Sequence, residues 1–182
     1  MTRIVAPEEF VSAFDTLVHR READVTALWW EAGKYSELFL HPETGILPQV
    51  AAALSLKYWS EYFKIDAVFY EELDDVHFRP DWNVARSLAV AVEHENIGTS
   101  SAYEASKLSL FNVPLKVLIT YPGRSQEESL LSSYADILRA ADVFHDFASL
   151  RRQIVVFGWK DNDRVTWRYH VFTDHGFGAL GP

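Results

Sequence analysis

Apolar residues between Pro7 and Arg21 recur at intervals of three and four, with Phe10, Val11, Phe14, Leu17 and Val18 on one stripe. This predicts an amphipathic helix over 7–21, with Pro7 in its first turn and Glu8 and Glu9 at its positive end. The following stretch, TALWWEAGKYSELFL, is aromatic throughout and shows no readable period. After the turn region HPETGILP, Pro48 predicts a second helix to about Phe63, with Val50, Ala51, Leu54, Tyr58 and Tyr62 on one side. From Ile65 the period falls to two. IDAVFY, VHFRPDWNVAR (after the acidic run EELDD) and the segment from Ser87 read as strands, spaced too closely for crossover helices and so expected to form an antiparallel meander.

Further on, Ser101 with Glu104 has the spacing of a capping box and predicts a helix to about Phe111, followed by the buried strand LKVLITY. Ser125 with Glu128 predicts a second capped helix running to Leu150, with Leu130, Leu131, Tyr134, Ile137, Leu138, Ala141, Phe144 and Ala148 inward. RQIVVFGWK and RVTWRYHVF form a hairpin about Asp161, Asn162 and Asp163, and the Gly-rich tail DHGFGALGP reads as loose. The order helix, helix, three strands, helix, strand, helix, hairpin predicts an α/β fold. In it a mixed sheet is flanked by helices within one domain spanning 1–182.

Composition narrows the chemistry. The 182 residues include no Cys, so disulfides and thiolate metal sites are excluded. No apolar run approaches the roughly 20 residues that span a bilayer, and MTRIVAPEEF lacks the apolar core of a signal peptide. A cytoplasmic protein without membrane contact is the expectation. The net charge of −9 lies in the first hundred residues, whereas 151–182 are mildly basic. An acidic chain is a poor general binder of nucleic acid, because cations on the protein drive that affinity. Arg151, Arg152, Lys160, Arg164 and Arg168 are candidates for phosphate contact, with ordinary surface solvation as the competing reading. Trp29, Trp30, Trp59, Trp159 and Trp167 read as core residues. Gly33-Lys34 lacks the earlier glycine of a phosphate-binding loop, since position 28 is Leu.

The candidate site lies in VAVEHEN. Strand alternation puts Ala89, Ala91, Glu93 and Glu95 on one face and Leu88, Val90, Val92 and His94 on the other. Two neighbouring carboxylates at the end of a buried strand repel each other and resist desolvation, and a cation removes both costs. A divalent-metal site follows as the expectation. The His residues show no two-ligand spacing, which argues against zinc. His94, facing away from the acids, reads as a hydrogen-bonded core or edge residue, and Glu104 as a cap partner.

In element order and motif, residues 48–121 or so resemble the restriction-endonuclease-like, PD-(D/E)xK, nuclease superfamily. Pro80-Asp81 stands for its Pro-Asp, and Glu93-His94-Glu95 falls where acid-x-Lys belongs. VAVEHEN, the helix with Lys107-Leu108, and PLKVLITY look like a branch of that group with a Glu-x-Glu variant of the motif.

The resemblance implies a hydrolase cutting the phosphodiester bonds of DNA or RNA with Mg²⁺ or Mn²⁺. It makes Asp81, Glu93 and the His94 carbonyl the metal ligands, and Glu95 a third ligand or the group orienting the attacking water. Lys107 would replace the missing motif lysine, and by analogy a homodimer is the expected assembly. A hairpin turn near Arg86-Ser87 would set Asp81 beside Glu93. A turn at Asp81-Trp82-Asn83 would instead pass the role to an acid of EELDD such as Asp75. The contrasting reading is a non-catalytic acidic interaction or regulatory protein that keeps this fold and binds a basic protein partner.

Overall fold

Leu115 to Thr120 is an unbroken run of six buried residues, which identifies a strand covered on both faces and hence the middle of a sheet. The computed structural model describes residues 3–72, 85–150 and 152–182, and places this run at the centre of seven strands. They are β1 (Lys57–Tyr62), β2 (Ile65–Glu72), β3 (Ala85–Glu95), β4 (Leu115–Thr120), β5 (Arg152–Asp161), β6 (Arg164–Thr173) and β7 (Gly176–Leu180). Their order across the sheet follows their order in the chain. β1, β2 and β3 form an antiparallel meander, while β3, β4 and β5 run parallel. β5, β6 and β7 are again antiparallel.

Helices α5 (Ser101–Ser109) and α6 (Glu127–Ala141) lie within the connections that parallel pairing requires. Their residues Ala105, Leu108 and Tyr134 pack with Ala91, Leu118, Val155 and Phe157. Against the opposite face lie α1 (Pro7–Arg20), α2 (Glu22–Leu28), α3 (Ala32–Leu40) and α4 (Ile46–Ala53). There Phe10, Phe14, Phe39 and Val50 join Val90, Val92, Val117, Ile119 and Val156. The result is a three-layer α/β arrangement with a mixed sheet. Among the described residues no helix is long and apolar enough to cross a membrane.

Several local expectations are met. The stripe predicted for α1 is buried throughout, and the Glu9 carboxylate accepts the Ala6 N–H at 2.9 Å. The predicted hairpin is the β5–β6 pair, with Asn162 left-handed in its turn.

Others are corrected. The helix predicted from Pro48 to Phe63 ends at Ala53, because Ser55 adopts a φ of 58° and the Leu56 N–H returns to the Ala51 carbonyl. The aromatic run after it becomes β1, where Tyr58 donates to the Leu40 carbonyl at 2.7 Å. The meander therefore consists of β1, β2 and β3, and the segment VHFRPDWNVAR falls mostly outside the described residues.

Neither predicted capping box forms. Ser101 sits inside α5 and bonds Tyr134 Oη and the Gly98 carbonyl, while Gln126 accepts the Gly123 N–H at 2.8 Å ahead of α6. That helix stops at Ala141 rather than Leu150, because the Asp142 carboxylate accepts the Asp146 and Phe147 amides and diverts the backbone. Phe144 is accordingly exposed. The tail expected to be loose pairs with β6 as β7.

Candidate functional site

The Ala67–Val92 pairing of β2 with β3 brings the next residues, Asp66 and Glu93, alongside each other. Asp66 is the one acid in an otherwise apolar start to β2, and the His94 N–H donates to its Oδ2 at 2.8 Å. Glu93 is 1% exposed, so its carboxylate has almost no water to solvate it. Lys107 crosses from α5 and sets Nζ 2.9 Å from Glu93 Oε1. Glu104, three residues earlier on α5, reaches the same ammonium at 2.5 Å. The third partner is the Lys64 carbonyl, at 2.9 Å.

That carbonyl is supplied by an uncommon turn. β1 and β2 are joined between Tyr62 and Ile65 by only Phe63 and Lys64, with φ of 49° and 69°. Two left-handed residues define the hairpin turn that normally calls for Asn-Gly, and here a Phe and a Lys adopt it at a cost of about 1 kcal/mol or more each. Glu61, opposite the start of β2, is left-handed as well. Strain thus gathers beside the charged cluster.

Electrostatics follow from the burial. Desolvation first, and then the neighbouring Asp66 charge, pushes the Glu93 carboxyl up to about 9. Asp66 is also raised by burial, against the pull of the His94 amide and the Lys107 charge. Burial opposes the charge of Lys107, but its pairing with Glu104 and Glu93 outweighs this and holds the ammonium above its ordinary value. At neutral pH the cluster holds a proton on the Asp66–Glu93 pair and a full positive charge on Lys107. Glu93 Oε1 and Glu104 Oε2 meet that charge without completing a hydrogen bond of ordinary geometry.

The predicted site residues separate. Glu93 and Lys107 come together as an ion pair. Glu95 lies one pleat further along β3, about 7 Å on, and its carboxylate accepts the Ile97 N–H at 2.7 Å. Asp81 and Asp75 lie outside the described residues. The turn near Arg86-Ser87 that was to bring Asp81 to Glu93 does not exist, because Ser87 is paired with Glu71 inside a continuous β3. Asp66 occupies the position beside Glu93, and the sequence reading passed over it as an ordinary strand residue. Its one signal was a lone acid among Ile65, Ala67 and Val68.

His94 behaves as expected. It is buried, stacks on Phe39 at 4.6 Å between centroids, and its Nε2 is hydrogen-bonded to the Tyr121 hydroxyl at 2.7 Å. Burial depresses its pKa to about 3, so the ring is neutral. Among the described residues no group of three or more His, Asp or Glu side chains is arranged to hold a metal ion. Comparison with protein-family models and with curated proteins gives no match.

Proposed function

We propose that the chain is a divalent-metal-dependent hydrolase of phosphodiester bonds in DNA or RNA, with Asp66 and Glu93 as its acidic pair. The observation that carries this reading is the convergence of half-buried Asp66 and Lys107 on the buried Glu93 at the end of two neighbouring strands. The order α4, β1, β2, β3, α5, β4 supports it, since it matches the helix, three strands, helix and strand of the nuclease core that the sequence resembles.

Two carboxylates suit Mg²⁺, which keeps several waters and seldom asks for an all-protein cage. Glu93 Oε1 now faces the Lys107 ammonium at 2.9 Å, and an ion would take over that contact. When bound, the ion supplies a Lewis acid and an acidified water. The protein side is separable. Asp66 is held in place by the His94 amide, Glu93 is kept from bulk water by α5, and Lys107 provides a fixed positive charge for the phosphate.

Melting temperature measured with and without millimolar Mn²⁺ or Mg²⁺ tests the site, and cleavage of labelled DNA and RNA tests the activity. A metal-induced rise that disappears in Asp66→Asn and Glu93→Gln is the expected result. Equal melting with and without metal, together with intact substrates, would reject the hydrolase.

A second reading is favoured by one observation: Lys107 already neutralises the acids from within. On that reading the cluster is structural, and the −9 chain is an interaction protein for a basic partner. Salt-sensitive binding of a cationic protein, with no metal response, is its signature.

A further inference from the structure

β3, β4 and β5 run parallel, so their carboxyl ends open onto one edge of the sheet, where ligand crevices arise in α/β folds. A cleft of about 520 Å³ lies there. Asn96 follows β3, Tyr121 to Arg124 follow β4, and Trp159 to Asp161 end β5, while Trp29, Trp30 and Tyr35 close the far side. His94, Tyr35 and Tyr121 belong to the face of β3 opposite Glu93, so this cleft is not the acidic site.

Three features distinguish it from a core defect. First, Trp30 is 81% exposed, although the sequence reading put it in the core. Its ring stands edge-on to Trp29 at 6.3 Å between centroids and lies mostly in solvent. Second, the deeply buried wall residue Trp159 carries an indole N–H that completes no hydrogen bond. Third, the charged rim is predominantly cationic. The Arg124 guanidinium lies over the Trp159 ring at 5.1 Å and pairs with Asp161, so that pair is neutral and Lys160 carries the net positive charge of the rim. Lys160 uses one donor on the Thr26 carbonyl at 2.9 Å and has two more.

A quaternary-ammonium ligand would suit the rings but not Arg124 and Lys160. A neutral sugar would leave the cations unused. The combination calls for a flat ring to stack, acceptors for N–H donors, and an anion at the rim.

We propose that this cleft binds a nucleotide, its base stacked on Trp30 and its phosphate held by Arg124 and Lys160. The ligand is either a free mononucleotide or one unit of a single strand, since both present the same base and phosphate. The proposal does not depend on the hydrolase reading.

The test is a titration of the intact protein with AMP, with adenosine and with a short oligo(dA), followed by tryptophan fluorescence and calorimetry. Saturable AMP binding is expected, weaker for adenosine, and weakened about tenfold or more in Trp30→Ala, the loss typical of a base deprived of its aromatic partner. Lys160→Ala should lower AMP affinity and leave adenosine unchanged. Oligo(dA) binding far more tightly than AMP identifies a strand as the source, and equal affinity identifies the free nucleotide. Trp30 is exposed, so its variant keeps the wild-type melting temperature and the comparison stays interpretable. Absence of saturation with AMP and oligo(dA) alike would overturn the proposal. So would unchanged affinity in Trp30→Ala, or binding of choline or methyl glucoside in preference to AMP.

Discussion

Adjacent residues of β3 face two unlike environments. Glu93 points to α5 and is buried among charges, with Asp66 on one side and Lys107 on the other. His94 points to α3 and is buried among rings, stacked on Phe39 and bonded to Tyr121. Both are polar residues removed from water, and the cost of burying them is offset differently. A buried carboxylate needs a countercharge or a proton, and Glu93 draws on both. A neutral imidazole carries no charge to compensate, and His94 meets its burial with one hydrogen bond at Nε2 and close-packed rings, leaving Nδ1 without a partner. The charged side is therefore sensitive to the loss of a single partner, whereas the aromatic side spreads its stabilisation over many contacts.

Lys107→Ala should produce the largest effect. It leaves the Asp66–Glu93 pair without its cation and is expected to cost about 3 kcal/mol or more, read from urea or thermal unfolding. A change under about 1 kcal/mol would mean that water already solvates the cluster.

Next in size is a strike at the aromatic side through Gly158, which lies in β5 under the Tyr121 and Trp167 rings. A Cβ there would come within 2.8 Å of the Tyr121 ring and 2.9 Å of Trp167. Gly158→Ala should therefore cost about 1–3 kcal/mol by overpacking. Unaltered melting would show that the rings can shift freely.

The third prediction sets the two sides against each other by pH. The Glu93 carboxyl is raised, so its contribution to stability is complete below about 4.5 and is lost as pH rises through about 9. The His94 ring is depressed, so its contribution is present above about 6.5 and is lost as pH falls towards about 3. Melting temperature against pH should fall at both ends. Glu93→Gln should flatten the alkaline limb alone and leave the variant more stable than the parent at pH about 8. His94→Phe should flatten the acid limb alone. If one substitution altered both limbs, the two environments would be coupled rather than separate.

The smallest effect belongs to Trp30→Ala, within about 0.5 kcal/mol, because an exposed ring contributes little to folding. A larger loss would mean that Trp30 packs as part of the core.

How far the sequence could be read depended on how local each structural cause was. The α1 stripe, the alternation in β2 and the largely apolar run of β4 each follow from neighbours along the chain, and all three were legible. Leu54, Tyr58 and Tyr62 continue a helical spacing by coincidence, and the left-handed Ser55 that interrupts it has no sequence signature. β7 was missed because Gly-Phe-Gly-Ala-Leu becomes a strand only beside β6. Glu104 was read as a cap partner, although its i,i+3 spacing to Lys107 on the predicted helix is the local signal for their ion pair. Trp30 was placed in the core because exposure of a large ring is a property of the packed surface.

The sequence by itself determined that Glu93 and His94 face opposite ways, because alternation along a strand is a property of the backbone. It also determined that an acid at the end of so apolar a strand needs a countercharge. Only the tertiary structure decided which acid stands beside it. The register of β2 on β3 is set by the burial of Ala67, Val68 and Phe69 against Val90, Ala91 and Val92, and that packing selects Asp66. Lys107 and the Lys64 carbonyl reach Glu93 because α5 and a strained two-residue turn are folded onto the same end of the sheet, contacts between segments far apart in the chain.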